Sequence, residues 1–188
     1  KKFFMLDPSL KEGTYSMFCI AIRRGWQGVA YLMLQNKFPL MNALQDALNE
    51  EKFMYVKTLL NKVEDHSVIR TANEEGQNLF HTFSMKGSGA DPDLTKKIFK
   101  ELIHYGVNLK AIDKRGRTPL HYACECSFAF MIDELLAAGV DPNIQDKDGH
   151  TGFSLLLVAG SVDQGLCEKM VKHGADLNKK FKFKARDK

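Results

Sequence analysis

The chain has 188 residues, 44% of them hydrophobic, with four cysteines and a formal net charge of +4. That is enough apolar material for one domain with a sizeable core, and too much for a chain disordered along its length. The charge is not evenly spread: the ten residues from Lys179 hold a net +5, so the other 178 sum to −1, which argues against a nucleic-acid binder with a basic face on the fold itself.

The chain opens on Lys-Lys-Phe-Phe, without a start methionine, and reads as a piece of something longer; no signal peptide is visible. The apolar run Tyr15 to Leu34 is interrupted by Arg23 and Arg24, so it does not read as a membrane span. Inside it, "SMFCIAIRRGWQGVAYLMLQN" from Ser16 carries Ala21 and Gly25 ahead of an apolar stretch. "NALQDALNEEKFMYVKTLLNK" from Asn42 carries Ala47 and the Val56 to Leu60 pattern. From Asn73, "NEEGQNLFHTFSMKG" reads as a tight turn and a short helix; after a polar insert, "SGADPD" from Ser88, comes a second helix ending in "KKIFKELIHYGVNLK".

The stretch from Asp113, "DKRGRTPLHYACECSFAFMIDELLAAGVDPN", shows the scheme most clearly. Asp113 to Gly116 is a tight turn in which glycine supplies a positive φ. Thr118 stands at a helix N-cap, where its hydroxyl can take an orphan N–H. Pro119 follows at the first helical position, where its missing N–H costs nothing. Leu120 and Ala123 share one face. Ile132, Leu135 and Leu136 form the apolar stripe of a second helix, which Gly139 stops. The scheme recurs from Asp146, 33 residues on, as "DKDGHTGFSLLLVAGSVDQGLCEKMVKHGADLN". Both copies open Asp-Lys-x-Gly-x-Thr and end Gly-x-Asp-x-Asn. In the copy from Asn73, Asn78 stands for Thr118 and His81 for His121, and the insert lengthens the spacing to 40.

This period, the Thr-Pro-Leu-His-x-Ala signature at Thr118 to Ala123 and the endings at Gly139 and Gly174 resemble the ankyrin-repeat family. The resemblance covers roughly Leu10 to Asn178, with the first two or three copies degenerate. It implies an all-α solenoid of stacked helix-turn-helix units joined by short hairpin-like turns. The repeats fall near 10–37, 38–70, 71–110, 111–143 and 144–178, giving a domain over 1–178 and a basic tail or linker over 179–188. One such unit cannot bury its apolar face alone, whereas stacked units share a core. Phe3 to Leu6 are candidates to cover the first copy. Phe181 and Phe183 either fold over the last repeat or mark where the piece stops.

His121, Cys124, Glu125 and Cys126 lie close enough in sequence to suggest a reactive cluster. Cys124 and Cys126 are two apart on a helix, about 200° around the axis, and cannot both face one ion; His121 and Cys124 share a face but are too few for zinc. The resemblance assigns His121 instead to a tie between repeats: it bonds the threonine of its own repeat and the backbone of the next, which implies a buried, largely neutral ring. His81 takes the same reading. His104 and His173 stand before the glycine that closes a second helix, where a cation suits the helix terminus. "GSGAD" at Gly87 lacks the Lys-Ser/Thr ending of a phosphate loop. No catalytic residue, cofactor site or metal site is read here, and four cysteines without a C-x-x-C pair read as reduced thiols of a cytoplasmic or nuclear protein.

The resemblance implies a non-catalytic module that holds a protein or peptide partner on a concave face for a larger, multidomain protein. It places the turn tips at Glu74, Glu75 and Gln77, then at Lys114, Arg115 and Arg117, then at Lys147, Asp148 and His150. The inner helices should show Arg23, Arg24, Asn49, Glu50, Met85, Lys86, Glu125 and Cys126. Trp26, the only tryptophan, either lies exposed near the first copy's groove or packs beneath its loop. Tips of both signs imply a partner carrying both. An alternative is a structural or substrate-positioning arm of an enzyme such as an ADP-ribosyltransferase or ubiquitin ligase. A third reading has the basic tail bind an anionic partner.

Overall fold

The computed structural model describes residues 20–21, 24–26, 28–29, 32–33, 40–49, 52–61, 67–86, 91–160 and 163–180. Helices come in pairs: α1 (Leu40–Asn49) with α2 (Phe53–Asn61), α3 (Leu79–Lys86) with α4 (Pro92–His104), α5 (Pro119–Glu125) with α6 (Ala129–Ala137), and α7 (Gly152–Val158) with α8 (Gln164–Lys172). Residues 20–21, 28–29 and 32–33 are also helical, and no strand occurs among the described residues. The first helices of the pairs stack in one row, each packed on the next, while α2 packs on α4 and α6 on α8 in a second row. The chain is thus an all-α solenoid. Phe3 to Leu6, Phe181 and Phe183 lie outside the described residues.

One apolar core runs between the two rows. Leu44, Leu48, Leu60, Phe80, Phe83, Ile98, Leu102 and Leu120 are all fully buried within it, each worth roughly 1.5–3 kcal/mol against exposure. Aromatic rings stitch it across repeats: Phe83 meets Phe128 of the next repeat edge-on at 6.3 Å, and Phe99 meets Phe130 at 5.8 Å. Gly152 stands where the preceding repeat has Pro119. A Cβ there would sit 3.2 Å from Cys124 Sγ, so α7 reaches α5 this closely only because the side chain is missing. Leu157 and Val171 are 42% and 46% exposed, at positions where the preceding repeat buries Cys124 and Leu136.

The polar insert of the third repeat divides in two. Asp91 caps α4, its carboxylate accepting from the Asp93 and Leu94 N–H groups at 2.8 and 3.3 Å, and Pro92 takes the first helical position. α4 is 13 residues long against 9 for α6 and α8, so the last two residues of the insert, Pro92 and Asp93, already belong to the outer helix. Gly87 to Ala90 lie outside the described residues. A phosphate at this helix start would meet the capping carboxylate. His104 and His173 prove not to be equivalent, since His104 ends α4 while His173 is the C-cap of α8.

Three turn loops share one construction. The first residue, Asn73, Asp113 or Asp146, accepts with its side-chain Oδ1 from the N–H groups two and four positions on, at 2.8–3.0 Å. Its own N–H donates to the carbonyl of the fifth residue. Gly116 has φ +78° and brings its Cα so near the next loop that a Cβ would lie 3.1 Å from the Lys147 N. Between loops, Lys114 N–H donates to Glu75 O and Lys147 N–H to Arg115 O, both at 2.9 Å.

Buried histidines join the loops from Asp113 and Asp146 to the inner helix before each, and Gln45 does so for the loop from Asn73, donating to the Gln77 carbonyl at 3.3 Å. The Thr118 N–H donates to His121 Nδ1 at 3.1 Å, and the Thr118 hydroxyl lies 2.9 Å from the same nitrogen. Thr118 and His121 thus form a capping box at the start of α5, as Thr151 and Ser154 do at α7. With Nδ1 accepting, Nε2 carries the proton and faces the His150 carbonyl of the next repeat at 3.1 Å. His81 makes the same two end contacts, to the Asn78 N–H and the Arg117 carbonyl, but the Asn78 Oδ1 accepts directly from the Phe80 and His81 N–H groups at 3.1 and 3.3 Å. Burial pushes both imidazoles below the ordinary histidine pKa.

A charged network crosses the same seams. Arg117 donates from Nε to Asp146 Oδ2 of the next repeat at 3.0 Å and from Nη1 to Glu125 Oε2 at 2.8 Å, with its guanidinium 5.4 Å from the Tyr122 ring centre. Tyr122 in turn donates to Asp113 Oδ2 at 2.6 Å and accepts from Gln77 Nε2 of the preceding repeat at 3.0 Å. Burial and the bond to Asp113 push the Tyr122 hydroxyl up to about 12. Burial raises the Asp113 and Asp146 carboxyls, but the hydrogen bonds they accept outweigh it and hold both below the ordinary value. Burial likewise depresses Arg117, and Glu125 and Asp146 more than reverse this.

Three outcomes follow from these ties. His121→Ala leaves buried partners unpaired and should cost roughly 1–3 kcal/mol, seen as a melting temperature several degrees lower by circular dichroism; an unchanged melt would remove the inter-repeat role. Because both histidines bind fewer protons folded than unfolded, stability is complete above about pH 6.5 and falls as pH drops below it. Chemical denaturation at pH 7 and pH 5 should show this loss, and His81→Gln with His121→Gln should shrink it. Arg117→Met strands the buried Asp146 carboxylate and should cost about 3 kcal/mol, against under about 0.5 kcal/mol for Lys114→Ala on the surface.

Candidate partner-binding face

The loops that set the seam also decide which side chains stay outside it. Residues two and three of each loop leave the surface: Glu74 and Glu75, Lys114 and Arg115, Lys147 and Asp148 are all exposed. Residue five turns inward. Gln77 is half-buried and bonded to Tyr122, and His150 is half-buried with Nδ1 3.2 Å from Ser154 Oγ. Arg117 is only 5% exposed. The expectation of a free Arg117 at the tip is therefore corrected: its guanidinium is enclosed by Asp146, Glu125 and Tyr122 and holds repeats together.

Below the tips, the ends of the inner helices contribute Lys86, Glu125 and Cys126, all exposed, and Met85, half-buried. Cys126 Sγ lies 3.4 Å from the Met85 carbonyl, so the third and fourth repeats touch there. Arg117 fixes the Glu125 carboxylate from beneath. Arg24 is exposed with its guanidinium 5.9 Å from the Trp26 ring centre, and Trp26 itself is 43% exposed; of the two placements open for this tryptophan, the exposed one is found. Arg23, Glu50 and the side chain of Asn49 lie outside the described residues.

Sequence reasoning missed the inward turn of the fifth loop residue, and with it Tyr122, Asp113 and Asp146 as partners. The signal was present but faint: Arg117 lies 29 residues before the acid that opens the next loop. Lys179, assigned to the tail, donates from Nζ to Asn143 O at 2.8 Å, and Gln145 Nε2 donates to Lys180 O at 3.0 Å. These two residues are thus bonded to the body, and 181–188 lie outside the described residues.

The chemistry available is that of contact. Cys124 is fully buried, and burial pushes its thiol well above the ordinary range. Cys126, though exposed, is also raised, by burial of its sulfur and by Glu125, the opposite of an activated nucleophile. Among the described residues no group of three or more His, Cys, Asp or Glu side chains is placed to hold a metal, and no helix is long and apolar enough to cross a membrane.

Comparison with known proteins agrees with this construction. A family model described as ankyrin repeats in three copies matches residues 40–146 and 90–181, together well over half of the chain. The chain is 45% identical over 56 residues to an ankyrin repeat and LEM domain-containing protein 1 homolog of Caenorhabditis elegans, covering 30% of this chain and 8% of that one. It is 36% identical over 66 residues to the 2-5A-dependent ribonuclease of Homo sapiens, covering 35% and 9%. It is 32% identical over 88 residues to the neurogenic locus Notch protein of Drosophila melanogaster, covering 42% and 3%. The matches thus span less than a tenth of each of these relatives. With its turn loops, paired helices and buried histidine ties, the chain belongs to the ankyrin-repeat family, whose repeats are generally protein–protein interaction modules and typically non-catalytic.

Proposed function

We propose that this chain is a non-catalytic interaction module that holds a partner protein or peptide on its concave face on behalf of a larger protein. One observation carries the reading: on loops whose backbone is bonded within the loop and to the next one, the side chains of Glu74, Glu75, Lys114, Arg115 and Lys147 remain exposed and serve no joint of the fold. Side chains that structure does not use are available to function. Met85, Lys86, Glu125 and Cys126 form the floor beside them, and Asp148, Arg24 and Trp26 extend the surface, with Arg23 beside Arg24 in sequence. Gln77, Arg117 and His150 act by positioning the tips. The free thiols Cys124, Cys126 and Cys167 support a reducing compartment, cytoplasm or nucleus.

A second reading, an arm that positions substrate within a larger enzyme such as an ADP-ribosyltransferase or ubiquitin ligase, draws support from the similarity to part of a ribonuclease. It requires a catalytic unit in the same polypeptide. Binding of an anion by the basic tail finds less support, because Lys179 is engaged with Asn143.

Quantitative pulldown tests the leading reading. Lys114→Glu with Arg115→Glu should remove bound partners while leaving the circular dichroism spectrum intact. Lys97→Glu with Lys100→Glu, on the outer helix α4, should leave them bound. Partners indifferent to the tip pair would place the binding surface elsewhere.

A further inference from the structure

The exposed tip charges are not merely mixed but ordered. The third repeat presents Glu74 and Glu75, the fourth presents Lys114 and Arg115, and the fifth presents Lys147 and Asp148, a pair of mixed sign. The order is rigid, because Lys114 N–H donates to Glu75 O and Lys147 N–H to Arg115 O. Neighbouring tips are therefore held side by side, acid pair against base pair. Even so, none of Glu74, Glu75, Lys114 and Arg115 has an ion-pair partner among the described residues. On the opposite side of the solenoid, exposed charges of adjacent repeats do pair: Lys169 Nζ lies 2.6 Å from Asp133 Oδ2. The tips thus keep two adjacent, unneutralised charge pairs of opposite sign.

Resting on the concave-face reading above, we infer that the partner presents an extended segment in which a basic cluster and an acidic cluster lie about three residues apart. The basic cluster seats over Glu74 and Glu75, and the acidic cluster over Lys114 and Arg115. The spacing comes from geometry. Stacked helices lie about 8–10 Å apart, and an extended chain rises about 3.3 Å per residue, so one repeat corresponds to about three residues of partner. A partner of single sign is disfavoured at either end. A nucleic-acid strand gains at Lys114 and Arg115 but is repelled by Glu74, Glu75 and the Glu125 carboxylate that Arg117 fixes in the floor. Complementary charge of this kind sets selectivity and association rate more than raw affinity, and it weakens with salt.

The test is selection of a displayed random 12-residue peptide library on the full 188-residue chain. A second selection uses the chain carrying Glu74→Lys, Glu75→Lys, Lys114→Glu and Arg115→Glu. Peptides won on the unaltered chain should carry a Lys/Arg cluster and an Asp/Glu cluster about three residues apart. They should bind the inverted chain about tenfold more weakly, and lose affinity as salt rises from about 50 to 300 mM. Peptides won on the inverted chain should show the clusters in reversed order. If the inverted chain does not fold, Glu74→Gln with Glu75→Gln, and separately Lys114→Gln with Arg115→Gln, should each weaken the same peptides. Binding peptides without the two clusters, or indifferent to these changes, overturn the charge order while leaving an interaction module standing. Tighter binding of a 20-nucleotide oligo-dT than of any selected peptide overturns it in favour of nucleic acid. A chain that selects no peptide, and whose pulldown captures nothing sensitive to the tip pair, fails both readings.

Discussion

The later repeats of this solenoid depend on a neutral imidazole spanning the seam, a place that Gln45 fills one seam earlier by donating to the Gln77 carbonyl at 3.3 Å. A helix pair of this size leaves one apolar side open to water, and stacking closes it only if the polar backbone at the junction is satisfied as well. His121 meets that condition from both ends. One ring nitrogen takes the N–H that begins its own helix, and the other reaches the carbonyl that ends the next loop. The ring performs this only while uncharged on Nδ1, so burial, which disfavours the cation, and the bonding pattern favour the same state. His81 repeats the device one repeat earlier.

The loops then separate buried from exposed side chains by position. Their first residue closes the turn with its side-chain oxygen, the fourth is glycine, and the fifth reaches toward its neighbours. Only the second and third face solvent. Arg117 shows how strict this is: it belongs to the same basic run as Lys114 and Arg115, yet it is buried and bonded to two carboxylates while they are exposed. A buried guanidinium flanked by Asp146 and Glu125 is a weak source of net stability, since desolvation offsets most of the Coulomb gain. Its use is register, since it ties the loop of one repeat to the first residue of the next.

This explains which parts were legible in the sequence. Thr118, Pro119, Leu120, His121 and Gly139 each act through local geometry that recurs at a fixed period, so residue type and spacing were enough to place them. The inward turn of Gln77, Arg117 and His150 was not legible. For Gln77 and Arg117 it depends on an acceptor 45 and 29 residues away, and a polar residue in a turn looks the same whether it faces water or a buried partner. The insert misled for a related reason. "SGADPD" carries loop composition, but Asp91 and Pro92 also make a helix start, and only the length of α4 shows which use prevails. In the first repeat, Trp26 follows a glycine with φ +69°, and its exposure could not be deduced from the apolar run around it.

The rigidity of the loops bears directly on what the exposed pairs can achieve. Exposed charges on floppy side chains contribute little to binding, because ordering both partners consumes most of the attraction. Here the backbone beneath each pair is already fixed by bonds to the loop's first side chain and to the adjacent loop. What remains to be ordered on binding is the outer part of each side chain. The same construction that lets one repeat stack on the next therefore holds the exposed charges at fixed spacing, and substitutions at the second and third loop positions leave the joint undisturbed.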